Sequence, residues 1–152
     1  RYVYITTPYL ILDNEMITAL TVAAQSGIDV RIITPGIPDK KLVYRVTRSY
    51  YQQLHRAGVK IYEYRPGFLH AKMIVSDDDV AVVGTMNMDF RSFFLHFECG
   101  TVLYGGETIS EIRDDVLDTM GLSRQIDDEW FRSVPWLASI AASILRLFAP
   151  ML

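Results

Sequence analysis

Residues 1–64 alternate between apolar runs and short polar turns, in an order that predicts strand, helix, strand, helix, strand. Runs of β-branched and aromatic residues predict strands at Tyr2–Thr6, Asp29–Thr34 and Val59–Tyr64. Apolar residues at helical spacing predict helices at about Glu15–Ser26 and Asp39–Ala57. Short connections between such elements favour parallel strands joined by right-handed crossovers. The first half of the chain is therefore predicted to be an α/β unit.

The ends of both helices carry residues that commonly cap helices. Asp13 and Asp39 stand where the helices should begin, and an aspartate side chain can accept a hydrogen bond from a free amide of the first turn. Gly27 and Gly58 follow the last turns, where glycine favours the left-handed backbone that ends a helix. These four positions set the predicted helix boundaries.

The chain after residue 64 predicts a hairpin, a strand and a helix. The hairpin joins strands near Met73–Val75 and Val80–Val83 through the acidic turn Asp77–Asp79. A further strand is predicted at Glu98–Tyr104 and a helix at Glu107–Met120. Because a hairpin adds antiparallel strands, we predict an α/β fold in which a mixed, largely parallel sheet is flanked by helices.

The end of the chain differs in character from the rest. We predict that residues 1–122 form one domain and that residues 123–152 form a helical tail, with helices at Asp127–Arg132 and from Pro135 to about Phe148. At 1.5 Å per residue the last helix is roughly 20 Å long, shorter than the ~30 Å apolar core of a bilayer. Two interpretations stay open: the tail packs on the domain, or it lies on a lipid surface.

Composition and charge narrow the classes of function. Half of the 152 residues are hydrophobic, and 15 Lys and Arg stand against 18 Asp and Glu, a formal net charge of −3. The length and apolar content suit one domain with a sizeable core. An acidic balance disfavours the binding of long duplex DNA, which needs many cations on one face. Cys99 is the only cysteine, which excludes an intramolecular disulfide and a cysteine-based zinc site.

Two features of the sequence bear on the membrane and on the extent of the chain. No run of about 18 apolar residues is present, so no membrane-spanning segment is predicted. The chain opens at Arg1 directly into a strand pattern, so we expect it to be part of a longer protein. A membrane anchor is therefore expected outside these 152 residues or in the C-terminal tail.

One of the three histidines, His70, has a cation two residues later, Lys72. The alternation of side chains along a strand would place both on the same face. An imidazole beside an ammonium group forms a site for an anion, where the lysine supplies charge and the histidine can attack or transfer a proton near neutral pH. By contrast, we expect His55 to be a surface residue and His96 a structural residue at a strand edge.

Further polar groups follow this pair along the chain. Asp77 stands at the far end of the strand that Lys72 enters, Thr85 and Asn87 follow the next strand, and Glu98 begins a later strand. Hydroxyl, amide and backbone N–H groups are uncharged donors for a phosphate. The spacing alone leaves two interpretations open, a phosphate site and a plain hairpin with a solvated acidic turn.

At these positions the sequence resembles the phospholipase D superfamily. His70-Ala-Lys72-Met-Ile-Val-Ser-Asp77 matches its H-x-K-x4-D motif, and Gly84-Thr85-Met86-Asn87 and Glu98 resemble the G-[ST]-x-N segment and the glutamate that accompany it. Residues 7–9, 27–36, 58–64, 90–98 and 147–152 further resemble the C-terminal half of bacterial cardiolipin synthases. The similarity extends over essentially the whole chain and implies a phospholipase D-like α/β/α sandwich.

The resemblance implies a chemistry and a set of roles. Enzymes of this superfamily cleave and form phosphodiesters without a metal, through a phosphohistidine, between two H-x-K motifs that face each other. His70 is then the nucleophile or the general acid and base, and Lys72 and Asn87 bind the phosphate. Thr85 is a supporting donor, and Glu98 is the carboxylate that orients an imidazole.

Two features of the motif qualify the roles that the resemblance implies. Asp77 belongs to the catalytic signature, although its place at the far end of the strand favours a supporting structural role. The chain carries one H-x-K motif, whereas the implied chemistry needs two. Either an N-terminal half-domain supplies the first motif, or a single-motif protein forms a homodimer. In two-motif enzymes the first half is thought to carry the nucleophile, which would make His70 the proton donor and acceptor.

On this resemblance the reaction is phosphatidyl transfer between two phosphatidylglycerol molecules, giving cardiolipin and glycerol at the bacterial cytoplasmic membrane. The catalytic domain would be peripheral, with its anchor in the missing N-terminal part, and no metal, cofactor or nucleic acid is implied. Two interpretations stay open for the cations at residues 40, 41, 45 and 48: they attract anionic head groups, or they form an ordinary solvated helix face. The alternatives are a single-motif homodimeric phospholipase D or nuclease that hydrolyses phosphodiesters, and a non-catalytic membrane-docking module.

Overall fold

Strands and helices follow one another along the chain in the computed structural model, which describes residues 1–136 and 144–147. In chain order the elements are β1 (Tyr2–Thr6), β2 (Leu10–Ile11), α1 (Asn14–Gln25), β3 (Asp29–Pro35), α2 (Lys41–Arg56), β4 (Lys60–Tyr64), β5 (Met73–Ser76), β6 (Val80–Gly84), β7 (Met88–Asp89), α3 (Phe90–Phe94), β8 (Gly100–Tyr104), α4 (Glu107–Gly121), β9 (Ser123–Ile126) and α5 (Asp128–Ser133).

Seven of the strands in the described residues form one mixed sheet in the order β8-β6-β5-β1-β3-β4-β9. The strands β1, β3 and β4 run parallel, with Val3 opposite Val30 and Ile33 opposite Tyr62. The strands β5, β6 and β8 are added antiparallel on one side, and β9 pairs antiparallel with β4 on the other. The two-residue strands β2 and β7 pair with each other.

Helices cover both faces of this sheet because side chains alternate between the faces along each strand. Ile32 and Ile61 are fully buried in the core that includes side chains of α1 and α2. Ile33 and Val75 are fully buried on the opposite face, in the core that includes side chains of α4. Burying each such side chain stabilises the fold by roughly 1.5–3 kcal/mol. The predicted α/β fold, with a mixed sheet between helices, is confirmed.

The ends of α1 follow the predicted caps, whereas the start of α2 does not. Asp13 accepts a hydrogen bond from the amide of Met16 at 2.7 Å, and Gly27 has the left-handed φ of +87°. The prediction that Asp39 caps α2 is wrong: Lys40 occupies the cap position without a side-chain hydrogen bond. The carboxylate of Asp39 instead accepts hydrogen bonds from the Tyr9 hydroxyl and the adjacent amide of residue 40.

The predicted hairpin between β5 and β6 is confirmed. Asp77 and Asp78 have φ values of 54° and 57°, and the amide of Asp79 donates to the carbonyl of Ser76 at 3.0 Å. Aspartate enters the left-handed region more readily than most residues, because its short polar side chain can bond locally. The aspartates therefore suit the left-handed backbone that this tight reversal needs.

Four short elements were not predicted from the sequence: β2, β7, α3 and β9. Residues 123–126, assigned there to a helical tail, form β9, in which Ile126 pairs with Ile61 and is fully buried. The next helix, α5, buries Trp130 against the same core. The boundary drawn after residue 122 therefore falls between a helix and a strand of one packed unit. The strand predicted from Glu98 begins at Gly100.

Only a part of the predicted final helix lies within the described residues. There, Arg146 donates to the Gln53 side chain at 2.7 Å and lies 4.1 Å from the ring centroid of Tyr50, both on α2. Leu145 packs against the main core. Leu145 and Arg146 thus contact the domain, whereas residues 137–143 and 148 of the predicted helix lie outside the described residues. Among the described residues, no helix has the length and apolar character needed to cross a bilayer.

One edge of the sheet collects several strand ends. The carboxyl ends of β1, β3 and β4 lie together because these strands are parallel. Since β5 runs antiparallel to β1, with Met73 opposite Thr6, the amino end of β5 lies at the same edge. We call it the carboxyl edge. Ligand sites of α/β proteins commonly form at this edge.

Candidate active site

The predicted pair of His70 and Lys72 lies at the carboxyl edge, on the segment that leads into β5. The two residues precede the strand instead of opening it, yet their side chains meet. Lys72 Nζ lies 3.2 Å from both ring nitrogens of His70 and 2.8 Å from its carbonyl oxygen. The His70 side chain is exposed, and the ring of Phe68 lies 5.5 Å from it. An exposed imidazole and an ammonium group therefore share one site.

Lys72 is one of the residues that line an apolar cavity of about 200 Å³, whose lining also includes Met16, Met86, Met88 and Phe93. Burial lowers the pKa of Lys72 below its ordinary value of 10.5, and the carboxylates of Glu98 and Asp89 oppose the shift. Apolar walls on one side leave the charge of the ammonium group poorly solvated, which strengthens its attraction for an anion.

A close approach of backbones brings the segment after β6 to this lysine. The amide of Gly84 donates to the carbonyl of Lys72 at 3.2 Å. A Cβ atom on Gly84 would stand 2.4 Å from the carbonyl oxygen of Cys99 and 2.7 Å from the Cα atom of Gly100. Only glycine therefore permits β6 and β8 to meet here, and this meeting places Thr85 against the segment before β8.

Thr85 and Glu98, both predicted site residues, contact each other directly. The Thr85 hydroxyl donates to the Glu98 carboxylate and accepts from the amide of Cys99 at 3.0 Å. Because the hydroxyl has one hydrogen, Thr85 cannot also donate to a phosphate in this arrangement. In this arrangement the Thr85 hydroxyl is used to hold the Glu98 carboxylate.

The charge of Glu98 is stabilised at this position. The hydrogen bond from Thr85 lowers the pKa of Glu98 below its ordinary value of 4.5, against the opposing effect of burial. A hydrogen bond from Ser92 and the nearby charges of His96 and Lys72 lower it further. The imidazole that Glu98 approaches within the described residues is that of His96, at 3.8 Å between Oε1 and Nδ1. His96 is half exposed and lies in a loop, so it is not the structural strand residue that we expected.

Asn87 is held by a residue that the sequence analysis did not single out, Ser92. The backbone amide and the side-chain amide of Asn87 both donate to Ser92 Oγ, at 3.1 and 3.2 Å. Asn87 Oδ1 is buried and has no hydrogen-bond partner in the described part of the chain. Since a half-turn of the amide exchanges its oxygen and nitrogen, this unpaired position can present an acceptor or N–H donors.

The role of Ser92 had a signal in the sequence. Asp89 caps α3 by accepting from the amide of Ser92 at 2.7 Å, and aspartate is among the residues preferred at the start of a helix. Ser92 is buried, and its hydroxyl is thereby fixed in front of Asn87. The cap thus connects the short helix α3 to the candidate site.

Two predicted positions do not join this cluster. Asp77 Oδ1 accepts from the amide of Tyr2 at 2.6 Å, at the opposite end of β5 from Lys72. Five extended residues span about 16 Å at ~3.3 Å each, so Asp77 lies far from Lys72 and contacts the start of β1 beside the hairpin turn. His55 lies at the surface as predicted, with Nε2 2.8 Å from the carboxylate of Asp128.

Comparisons with known proteins agree on the family. Residues 1–119 match the family model described as "Cardiolipin synthase, PLD-like domain". Over 152 residues the chain is 47% identical to a cardiolipin synthase of Geobacillus kaustophilus and 44% identical to one of Halalkalibacterium halodurans. Each alignment covers 100% of this chain and 30% of the relative, so the chain spans about a third of the length of these curated relatives.

Solved structures share the fold at low sequence identity. Nuc from Salmonella typhimurium, a phospholipase D family member, gives a TM-score of 0.72 at 15% identity, over 84% of this chain and 82% of that chain. The phosphatidylserine synthase of Haemophilus influenzae gives 0.69 at 14% identity, over 100% of this chain and 42% of that chain. The resemblance stated from the motifs is confirmed. This chain belongs to the cardiolipin synthase family of phospholipase D-like domains.

Proposed function

We propose that this chain supplies one half of the active site of a phosphatidyltransferase that makes cardiolipin and glycerol from two phosphatidylglycerol molecules. The observation that carries the proposal is the 3.2 Å approach of Lys72 Nζ to both ring nitrogens of the exposed His70. An imidazole in contact with a partly desolvated cation suits reaction at a phosphodiester, which is anionic. The family of the chain supports phosphatidyl transfer as the reaction type.

The proposed reaction has two displacements at one phosphorus atom. A ring nitrogen of one histidine attacks phosphatidylglycerol, so that a P–N bond forms and the P–O bond to the head-group glycerol breaks. The histidine of the opposing motif gives a proton to the departing glycerol oxygen. It then takes a proton from a hydroxyl group of a second phosphatidylglycerol, whose oxygen attacks phosphorus and breaks the P–N bond. In this proposal His70 is the proton-transferring histidine.

The neighbouring side chains stabilise charge and position. Lys72 and the amide of Asn87 would contact the non-bridging oxygens, where negative charge develops in the transition state. The Glu98 carboxylate would keep the positive charges of His96 and Lys72 close to the site. The hydrogen bond from Thr85 would hold that carboxylate in place. A water-poor environment on the side of the apolar cavity would favour an alcohol over water as the attacking group.

Two observations support a half-site that needs a second H-x-K motif. The chain carries a single such motif, and its relatives are about three times as long. Beside Glu98, Phe94 and Leu95 are 59% and 60% exposed and Phe97 is fully exposed. An exposed apolar patch next to a catalytic centre fits contact with another protein surface, here the N-terminal half-domain that would complete the site.

One observation favours a second candidate function, hydrolysis by a homodimer with one motif in each chain. The aligned region covers 82% of the Nuc chain, so that phospholipase D family member is close to this chain in size. In such a dimer a second copy of His70 would take the place of the missing motif, and water would be the acceptor.

A chimera tests the proposed transfer. This chain replaces the matching 152 residues of the Geobacillus kaustophilus relative, and the protein receives head-group-labelled phosphatidylglycerol in mixed micelles that contain EDTA. We expect equimolar release of glycerol and formation of cardiolipin. His70→Ala should lower turnover by about 10³-fold or more, since acid–base and covalent roles are each worth that order. His55→Ala, in a surface histidine bound to Asp128, is the matched control and should leave turnover unchanged.

The isolated chain, assayed in the same way, separates the two candidates. We expect no turnover from the isolated chain and transfer from the chimera. If the isolated chain catalysed hydrolysis or transfer, the half-site hypothesis would be wrong and the homodimer hypothesis would be supported. A chimera whose His70→Ala variant keeps full turnover would overturn the catalytic assignment.

A further inference from the structure

The corner between β3 and α2 is exposed, cationic and apolar. We define the β3–α2 corner as residues 36–45. Lys40, Lys41 and Arg45 are exposed there. Between and beside these cations, Ile37 and Leu42 expose 49% and 45% of their surface. Cations mixed with exposed aliphatic side chains are typical of segments that lie in the interface of a membrane.

Positive charge is concentrated at this corner on a chain that is otherwise acidic. Arg65 joins the corner, because its Cδ atom lies 3.4 Å from the position of a Cβ atom on Gly36. The corner and Arg65 together carry a net charge of +3, so the rest of the chain carries −6. Asp39 is the only acidic residue within residues 36–45, and it is engaged by the hydroxyl of Tyr9.

The cations of the corner form few contacts within the fold: among the described residues, Lys40 Nζ lies 5.6 Å from the ring centroid of Tyr9. Within the described residues, no ion pair involves Lys40, Lys41, Arg45 or Arg65. Arg48, which the sequence grouped with them, differs: its guanidinium bonds both oxygens of the buried Glu63 at 2.7 and 2.8 Å. The unpaired charges are therefore available to an external anion.

The corner lies at the same edge of the sheet as His70. The strand β3 leads into the corner at the carboxyl edge, and the segment with His70 enters β5 at that edge. Only β1 separates β3 from β5, so the two segments are about 10 Å apart at ~4.8 Å per strand spacing. The chain that leaves β1 contacts both segments, since Thr6 Oγ1 accepts from the amide of Met73 at 3.1 Å and the Tyr9 hydroxyl bonds Asp39.

We propose that the β3–α2 corner docks the protein on a bilayer surface that carries anionic phospholipid head groups. The choice of lipid rests on the proposed function, whose substrate has such a head group. The cations would contact the head-group phosphates, and Ile37 and Leu42 would enter the boundary between head groups and acyl chains. Because the corner and His70 share the carboxyl edge, docking brings the catalytic groups to the depth of the lipid phosphates.

Vesicle sedimentation tests the docking. The full 152-residue chain is mixed with vesicles of phosphatidylcholine alone or with 30% phosphatidylglycerol, at low and at high salt. We expect binding only to the anionic vesicles and weaker binding at high salt, since salt screens exposed charges. Lys41→Glu with Arg45→Glu should weaken binding at least about tenfold. Arg56→Glu with Arg132→Glu makes the same charge change at the far end of α2 and on α5 and should have little effect.

A second pair of variants tests the apolar contribution. Ile37→Ser with Leu42→Ser should also weaken binding about tenfold, because two aliphatic side chains lose their insertion into the interface. Val22→Ser with Leu122→Ser is the matched control, since these side chains are 56% and 58% exposed on other elements. Circular dichroism of each variant verifies that the fold is kept.

Turnover on a soluble substrate separates this inference from the proposed function. In the chimera, Lys41→Glu with Arg45→Glu should keep turnover on short-chain phosphatidylglycerol below its micellar concentration and lose it on vesicles. Loss of turnover on the soluble lipid would overturn the docking role and assign the corner to the active site. The docking role would also be overturned if Lys41→Glu with Arg45→Glu weakened binding to duplex DNA as much as binding to anionic vesicles. The corner would then be a general surface for polyanions. Should the wild-type chimera not transfer at all, the vesicle measurements still decide the docking.

Discussion

The hydroxyl of Thr85 donates a hydrogen bond to the carboxylate of Glu98, thirteen residues further along the chain. The two segments meet because the end of β6 lies directly against the start of β8, with Thr85 and Cys99 also joined by their backbones at 2.9 Å. This contact stabilises the ionised form of Glu98 and places its charge near Lys72. A neutral hydroxyl therefore stabilises the charge of a carboxylate at the candidate site.

Replacing Thr85 should change the pH dependence of the enzyme more than its fold. Thr85→Val keeps the shape of the side chain and removes the hydrogen bond, so the pKa of Glu98 should rise towards its ordinary value of 4.5. The ionised carboxylate is then lost at higher pH, and the acidic limb of the profile of kcat/KM against pH should move upward. Thr85→Ser retains the hydroxyl and should keep the original profile. Identical profiles for the valine and serine variants would contradict a positioning role.

Ser92 should be important for the arrangement of both Asn87 and Glu98, because its hydroxyl bonds both residues. Ser92→Ala leaves two N–H groups of Asn87 without their acceptor, at a cost of roughly 1–3 kcal/mol, and we expect kcat/KM to fall about tenfold. The matched control is Ser133→Ala, which removes a hydroxyl that donates to the carbonyl of Trp130 at 2.6 Å, away from the site. Steady-state kinetics of both variants in the chimera measure the difference. Equal kinetics for the two would mean that Asn87 does not depend on Ser92.

Gly84 should tolerate no side chain. A Cβ atom there meets the carbonyl oxygen of Cys99 at 2.4 Å, so Gly84→Ala should separate the ends of β6 and β8. Overpacking of this kind costs roughly 1–3 kcal/mol, which for a chain of this size lowers Tm by about 3–10 °C. Thermal unfolding followed by circular dichroism measures it, with Gly121→Ala as control because no atom lies within 4 Å of its Cβ position. A Gly84→Ala protein as stable and active as the control would contradict the close approach.

Asp77 should matter for stability and not for turnover. Asp77→Asn keeps an acceptor for the amide of Tyr2 and a residue suited to φ of 54°, so kcat/KM should stay within about twofold. Asp77→Ala loses both and should destabilise the fold by roughly 1–3 kcal/mol, while the folded fraction keeps its turnover. Kinetics and chemical unfolding of the two variants separate these effects. Loss of turnover in Asp77→Asn at unchanged stability would return Asp77 to the catalytic groups.

Local sequence was sufficient for most of the elements and for the central pair of the site. Strand and helix patterns are local, so β1, β3, β4 and the helices between them were predictable to within a few residues. The pair of His70 and Lys72 was equally accessible, because two residues of spacing keep their side chains together in any extended segment. The strand β9 was missed because residues 123–126 carry only one apolar side chain, that of Ile126, and pairing with β4 fixes their conformation.

What the sequence determined by itself was the chemistry of the site: an imidazole, an ammonium group, an amide, a hydroxyl and a carboxylate in a fixed order. Tertiary structure alone decided which of these groups meet. Thr85 bonds Glu98 because Gly84 lets two strands approach, whereas Asp77 turns to the amide of Tyr2 because β5 separates it from Lys72. Arg48 and Lys41 likewise have the same charge in the sequence, but only the fold buries Glu63 beside the first. Contacts between distant segments depend on strand register and packing, and neither is encoded in local spacing.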